Sequence, residues 1–241
     1  MINLFRNTRR RLADDNQFLK YSRYAVGEII LVVIGILIAL QINNWNKDLQ
    51  NIRLEEKILE NLKIDLGVQK EIIQIQLSFE RKALAEVDTC LNMVNSTIEV
   101  STLIRLLDSL SQRQTFVTNR VTFENLGLDG NTTVIRNSDL QNEIIKYYQQ
   151  LDYTTSVINN NNIYRTNSQF GTFVVNNTLG FLLDETGQPN KTYVMSQERR
   201  FTLKTQLDGR KYSSKNNIEK SILQMGKTKG LIQLIDNELK K

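Results

Sequence analysis

The chain has 241 residues, a formal net charge of +5, one cysteine and no histidine. Without histidine it cannot form the Ser-His-Asp or Cys-His arrangements of nucleophilic enzymes, nor a zinc site built on histidine. A single cysteine, Cys90, also excludes an intrachain disulfide. Because Cys90 lies within an apolar helical pattern, we interpret it as a small buried residue, with an intermolecular disulfide as the alternative.

The positive charge is concentrated near the start of the chain. Residues 1–24 contain six Lys/Arg against two Asp/Glu, a net +4, whereas residues 43–241 contain 25 against 23, a net +2. A short basic segment beside an apolar one is typical of contact with anionic lipid headgroups. No basic stripe interleaved with aromatic residues follows, so we expect no nucleic-acid binding.

Residues 24–45 are predicted to form a transmembrane helix. Every position from Ile29 to Leu40 is apolar or glycine, and about 18 residues at roughly 1.5 Å each match a hydrocarbon core of about 30 Å. Tyr21 and Tyr24 flank one end and Trp45 the other, as expected for interfacial anchors. The polar remainder of the chain argues against a buried core helix, and no small-residue cleavage pair follows the run, so we predict an uncleaved signal-anchor.

The charges on the two sides of this helix predict its orientation. Arg9, Arg10 and Arg11 lie in the basic stretch 1–23, which we interpret as an amphipathic tail anchored at the membrane surface, with a disordered tail as the alternative. The excess of Lys/Arg on this side predicts a cytoplasmic N-terminus. An extracytoplasmic domain without disulfides favours bacteria, so we place residues 46–241 in the periplasm and the helix in the inner membrane.

One face of the predicted transmembrane helix contains small residues. Gly27, Leu31, Gly35 and Ala39 recur at four-residue steps, and small residues allow a second helix to approach closely. We therefore predict a helix–helix interface here, although glycine is also common in membrane helices in general. Glu28 belongs to the same region; its carboxylate either reaches the interface beside Arg23 or pairs across a subunit boundary.

Two segments resemble a known family. The block Tyr24–Asn46, YAVGEIILVVIGILIALQINNWN, resembles the N-terminal signature of small single-span membrane proteins of the Bacteroidota, which are catalogued as a domain of unknown function. Residues 122–131, 135–140 and 144–148 resemble a second element of that family, with Gly127 and Leu128 departing from its usual pattern. The resemblance implies a single-span protein and carries no activity.

The remainder of the chain is predicted to be mainly α-helical. Apolar positions at three- and four-residue steps predict a long helix over 46–96 that continues the membrane helix. Shorter helices are predicted at Thr102–Leu110 and Phe123–Leu128, and Ser138 is predicted to start another through a capping box. We expect Thr115–Val121 to be extended.

The C-terminal third is predicted to contain the few strands and one more helix. Residues 170–212 form the least helical part, with strands expected at Thr172–Val175 and Tyr193–Met195 and a loop at 184–190. Residues 214–240 return to helix, with Gly226 and Gly230 predicted to mark a close crossing of two backbones. The inward-facing positions predicted for this helix are Ile218, Ile222, Met225, Ile232, Ile235 and Leu239.

No sequence motif indicates catalysis. The chain has no nucleotide-binding loop, nucleophile elbow or metal-spaced cluster, so we expect no enzyme activity, no cofactor and no metal. Two classes of function remain. The first is an envelope scaffold that oligomerises and binds another envelope protein; the second is a periplasmic ligand-binding or sensory module that relays through its span to a partner.

Overall fold

The computed structural model describes residues 17–96, 98–128, 134–191 and 193–241, with all side chains in these ranges except those of residues 17–21, 24 and 179. π-Helical segments span Asn161–Gly171 and Val175–Leu179, and single α-helical turns lie at Thr172–Val174 and Gly180–Leu182. The longer helices are α1 (Gln17–Asn95), α2 (Val100–Ser111), α3 (Val121–Leu128), α4 (Ser138–Asn160) and α5 (Gln197–Glu238).

The predicted α-helical class is confirmed, but the predicted strands are wrong. In the described ranges there is no β-strand, only an isolated antiparallel bridge between Leu183 and Pro189. Thr172–Val174 is helical and buries Val174, so burial of an apolar side chain overrides the β-preference of this stretch. Residues 112–120 and 193–195 form neither helix nor strand, while the predicted loop at 184–190 is confirmed.

The chain divides into two compact units, residues 1–55 and 56–241. In the first unit, every residue from 25 to 48 of α1 is exposed. The most apolar 18-residue window of α1 has a mean hydropathy of 2.6, and none of it is buried. Among the described helices, α1 is therefore the one that is long and apolar enough to cross a membrane.

The second unit contains two apolar clusters. In the first, α1, α4 and α5 pack against each other through Leu62, Ile73, Ile144, Leu151 and Ile235. In the second, the C-terminal part of α1 packs against α2, the π-helices and the start of α5 through Val87, Leu107, Phe170, Val174 and Leu207. Cys90 belongs to this second cluster and is fully buried, which confirms its interpretation as a buried residue.

Polar side chains cap the helices of the second unit. The Asn137 side chain accepts hydrogen bonds from the backbone N–H groups of Asp139 and Leu140, so α4 is capped one residue earlier than the predicted capping box at Ser138. The Ser196 hydroxyl accepts from the N–H of Arg199 and starts α5, well before the predicted start near residue 214.

The inward face of α5 differs from the prediction. Ile235 is fully buried and Ile218, Met225, Ile232 and Leu239 are partly buried, but Ile222 is 52% exposed. The predicted close crossing at Gly226 and Gly230 is not found within the described residues, since none of their heavy atoms lies within 4 Å of an ideal Cβ at either position. Between Arg210 and Thr228, the buried side chains of α5 are polar.

Candidate functional site

The middle of α5 buries a continuous row of polar side chains. The helix enters the second apolar cluster with Leu203 and Leu207 and reaches the first with Leu231 and Ile235. Between these pairs, seven polar residues at helical spacing are buried: Arg210, Ser213, Ser214, Asn217, Ser221, Gln224 and Thr228. We name these residues, together with the buried Gln76 and Glu80 of α1, Thr154 of α4 and Asn162 and Thr166 of the π-helix, the polar layer.

An ion pair lies at the centre of the polar layer. Arg210 Nη1 is 3.4 Å from Glu80 Oε2, and both side chains are 0% exposed. The guanidinium also donates from Nε to the carbonyl oxygen of Leu110 at 3.1 Å and from Nη1 to the Ser214 hydroxyl. A buried charge is tolerated when it is paired and hydrogen-bonded, and these partners provide both conditions.

Amide side chains surround the Glu80 carboxylate. Its Oε1 accepts from Gln76 Nε2 at 3.0 Å and from Asn217 Nδ2 at 2.7 Å. Asn217 Nδ2 lies 3.3 Å from Asn162 Oδ1, while Asn162 itself donates to the carbonyl oxygen of Gln114 at 2.7 Å. The π-helix that begins at Asn161 thus contributes directly to the polar layer.

The other half of the polar layer joins α4 to α5. Thr154 Oγ1 donates to Gln224 Oε1 at 3.1 Å, and the Tyr147 and Thr228 hydroxyls lie 3.0 Å apart. Burial raises the pKa of Tyr147 above its ordinary value of 10.0, although the hydrogen bond to Thr228 acts in the opposite direction. Tyr147 therefore keeps its proton at neutral pH and acts as a neutral hydrogen-bonding group.

Six buried polar atoms of the layer have no hydrogen-bond partner among the described residues. They are Gln76 Oε1, Thr166 Oγ1, Arg210 Nη2, Ser213 Oγ, Ser221 Oγ and Gln224 Nε2. Each such atom costs about 1–3 kcal/mol relative to a satisfied one. The chemistry of the layer is hydrogen bonding rather than proton transfer to a solute, because Glu80 and Arg210 are inaccessible.

An open cleft of about 360 Å³ lies where the π-helices meet the start of α5. Its walls include Phe173, Thr178, Phe181, Tyr193 and Arg199. The Arg199 guanidinium carbon is 3.5 Å from the centre of the Phe181 ring, and Nη1 donates to the Tyr193 hydroxyl at 3.0 Å. A cation next to aromatic rings suits a small ligand with an anionic or aromatic part.

The residues of the predicted membrane-helix interface all lie on the exposed part of α1. Gly27, Glu28, Leu31, Gly35 and Ala39 are exposed, and an ideal Cβ at either glycine would have no heavy atom within 4 Å. Trp45 is exposed as well. Tyr21 and Tyr24 lie in the described backbone of α1 without described side chains, and Arg9, Arg10 and Arg11 lie outside the described residues.

In the described part of the chain, no group of three or more Cys, Asp or Glu side chains is placed to hold a metal ion. Sequence reasoning missed the polar layer, because only apolar positions were predicted to face inward on the last helix. A usable signal existed: the polar residues from Arg210 to Thr228 recur at three- and four-residue steps, in phase with Leu203, Leu207, Leu231 and Ile235.

Over the residues that the structure describes, these features define an α-helical protein with one candidate membrane-spanning helix and a packed helical unit whose core contains a polar layer. The chain belongs to a family of unknown function, DUF6090, whose model matches residues 28–185. This agrees with the predicted resemblance to an uncharacterised domain family. The match ends before α5, which begins at Gln197. No curated protein and no solved structure matches the chain.

Proposed function

We propose that this chain is a membrane-anchored interaction protein of the bacterial envelope. Its residues 24–45 cross the inner membrane with the N-terminus in the cytoplasm, and residues 46–241 form a helical periplasmic domain. The protein oligomerises, binds another envelope protein and carries out no catalysis. The resemblance of Tyr24–Asn46 to the family signature supports a source among the Bacteroidota.

The exposure of the apolar part of α1 is the observation that carries this proposal. Residues 25–48 are all exposed and include Ile29, Leu31 and Leu37, which are more than half exposed. Exposed apolar surface of this extent is unfavourable in water and favourable in lipid. The basic residues before the apolar run support the proposed orientation.

Fractionation of cells that produce the full chain tests the anchor. We expect the chain in the membrane pellet after washing with carbonate or urea, and in solution only after detergent is added. Leu37→Asp places a carboxylate near the helix centre, where it costs about 2.5–3.5 kcal/mol, and should shift the chain toward the soluble fraction. Ile64→Asp, at an exposed site of the second unit, is the matched control and should leave the distribution unchanged.

Reporter fusions test the orientation. Alkaline phosphatase fused after Lys241 should be active, because this enzyme matures in the periplasm, whereas a fluorescent protein that matures only in the cytoplasm should be dark at the same position. The opposite pair of results would reject the proposed topology. In the fractionation experiment, removal of the chain from the membrane pellet by carbonate would reject the membrane anchor itself.

The cleft beside Arg199 supports a second candidate function, a periplasmic ligand-binding or sensory module. Arg199, Phe181 and Tyr193 offer a cation, a ring and a hydroxyl within one opening. Native mass spectrometry of the detergent-solubilised chain distinguishes the two. A monomer that retains a small molecule supports the sensory module, and loss of that molecule in Arg199→Ala would locate it in the cleft. A stable oligomer or a stoichiometric protein partner supports the interaction protein.

A further inference from the structure

The face of α5 opposite the polar layer carries a column of exposed apolar side chains. Phe201, Tyr212, Leu223 and Leu234 are 74%, 60%, 49% and 44% exposed. They recur every 11 residues, and 11 residues are about three turns of an α-helix, so the four side chains lie nearly in line over about 50 Å. We name these four residues the α5 strip.

Two glycines lie on the same face as the α5 strip. Gly226 and Gly230 are one turn apart between Leu223 and Leu234, and both are exposed. An ideal Cβ at either position would have no described heavy atom within 4 Å, so the backbone is open at both glycines. Elsewhere on this face Arg165 lies over the Tyr212 ring, and Gly230 and Leu234 border a groove shared with α4. Glycines at four-residue spacing allow the backbone of another helix to approach closely.

The flanks of the α5 strip are basic. Between Phe201 and Leu234, five lysines make no ion pair with described residues: Lys204, Lys215, Lys220, Lys227 and Lys229. Two of these contact α4, since Lys220 lies over the Tyr153 ring and Lys227 donates to Gln150. Only two carboxylates, Asp208 and Glu219, lie in the same stretch. A partner with acidic flanks would therefore be attracted to this face, whereas a basic one would be repelled.

We propose that the α5 strip docks an acidic amphipathic helix of another envelope protein, an inference that rests on the proposed function and names its interaction surface. The partner helix presents apolar residues at 11-residue spacing, packs closely at Gly226 and Gly230, and places Asp or Glu beside the five lysines. The strip lies outside residues 28–185, which match the family model.

The observations favour a helix over the two other occupants. A helix that lies on a membrane needs a broad apolar face, but this one is a single column, with Asp208 and Glu219 between its apolar residues. A second copy would place the same unpaired lysines against each other across a two-fold axis. An acidic helix satisfies both the narrow apolar column and the basic flanks.

A synthetic peptide tests the proposal on the full chain in neutral phosphatidylcholine nanodiscs. The probe is an acidic helical peptide of about 34 residues, long enough to cover about 50 Å, with Leu every 11 residues and Glu on both flanks. A second peptide has Lys in place of every Glu. With Trp45→Phe and Phe201→Trp in the chain, its one tryptophan lies on the α5 strip, and its emission should shift to the blue only with the acidic peptide.

Substitutions at the glycines test the docking geometry. Gly226→Leu and Gly230→Leu should each weaken binding of the acidic peptide at least about tenfold, or about 1.4 kcal/mol, without loss of helix, since leucine is a better helix former than glycine. Gly67→Leu on α1 is the matched control, because its Cβ would also meet no heavy atom within 4 Å. Its affinity should equal that of the unsubstituted chain.

Five results would overturn the proposal. Equal binding of both peptides, or unchanged binding in Gly226→Leu and Gly230→Leu, would exclude this docking mode. A blue shift of the tryptophan emission without peptide, in discs that contain 30% phosphatidylglycerol, would identify lipid as the occupant. A blue shift that grows with protein concentration, again without peptide, would identify a second copy of the chain. If the chain remains membrane-bound with a stoichiometric partner but binds neither peptide, the α5 strip is rejected while the proposed function stands.

Discussion

Arg210 and Glu80 are the two residues on which the centre of the second unit depends most. Both are inaccessible, and each makes further hydrogen bonds beyond their mutual contact at 3.4 Å. Removal of one member leaves the other charge buried without its counterpart, and that cost exceeds the loss of the contact itself.

We therefore expect Arg210→Met to lower the free energy of unfolding by about 3–5 kcal/mol. The double variant Glu80→Met, Arg210→Met should lose less than the sum of the two single variants, because neither charge is then left alone. Urea unfolding of the full chain in detergent, followed by circular dichroism, measures all three. Strict additivity would show that the pair does not interact energetically.

Cys90 links stability to alkaline pH. Burial raises the pKa of its thiol from 9.0 to about 12, so an unfolded chain loses this proton near pH 9 while the folded chain keeps it to about pH 12. The thiol's contribution is thus fully present below pH 9 and is lost as the pH rises through the folded pKa.

The unfolding free energy of the native chain should therefore fall by up to about 1.4 kcal/mol per pH unit above pH 9, relative to Cys90→Ala. The comparison is the difference between the two chains at each pH, since Tyr147 and Tyr148 also have raised pKa values and contribute equally to both. A constant difference from pH 8 to pH 11 would contradict the buried thiol.

At the scale of elements, the sequence predicted where helices form better than which side of them is buried. The long periodic segment of α1, and α2 and α3, were predicted close to their observed bounds. On α5 the prediction selected apolar residues as the inward face and chose Ile222, which is exposed, while its polar neighbour Ser221 is buried. Hydropathy cannot identify a buried face made of polar side chains, because their partners come from α1, α4 and the π-helix.

The π-helices lay beyond sequence reasoning for a different reason. No π-helix was predicted, but α4 continues through Asn161–Gly171 as one. Asn162 and Asn217 are hydrogen-bonded to each other, so a side chain more than 50 positions away stabilises this continuation. Such a contact has no signature in the local sequence.

The glycines of α5 provide a prediction at this scale. Gly226→Ala and Gly230→Ala should each raise the free energy of unfolding by about 0.5–1 kcal/mol, because glycine costs about that much inside a helix and the added Cβ meets open space. Gly171→Ala is the contrasting variant, since its Cβ would lie 3.3 Å from the carbonyl oxygen of Thr166. Thermal unfolding of the full chain measures each change, and destabilisation by Gly226→Ala or Gly230→Ala would reveal a covered face.

At the scale of the whole molecule, the proposed function requires association within the membrane. The interface predicted around Gly35 would provide this association. Gly35→Leu should lower the mass of the particle extracted in mild detergent, since the larger side chain keeps a second helix at a distance.

Val33→Leu is the matched control, because Val33 lies about 200° around the helix from Gly35 and is also exposed. Its particle mass, measured by light scattering with correction for detergent, should equal that of the unsubstituted chain. Unchanged mass in Gly35→Leu would reject the interface, and a reduced mass in both variants would reject its assignment to the small-residue face.

The polar layer has one more consequence, for the alignment of α5 along α1. An axial slip of one turn, about 5.4 Å, would carry the Arg210 guanidinium away from Glu80 toward Leu77 or Ala83, the buried apolar neighbours on α1. Such a slip is strongly disfavoured because it leaves both charges buried without their counterparts. Apolar side chains at these two positions would lack this charge penalty. The ion pair thus fixes a single axial register of α5 along α1. A chain with Leu or Met in place of Glu80 and Arg210 should populate several registers.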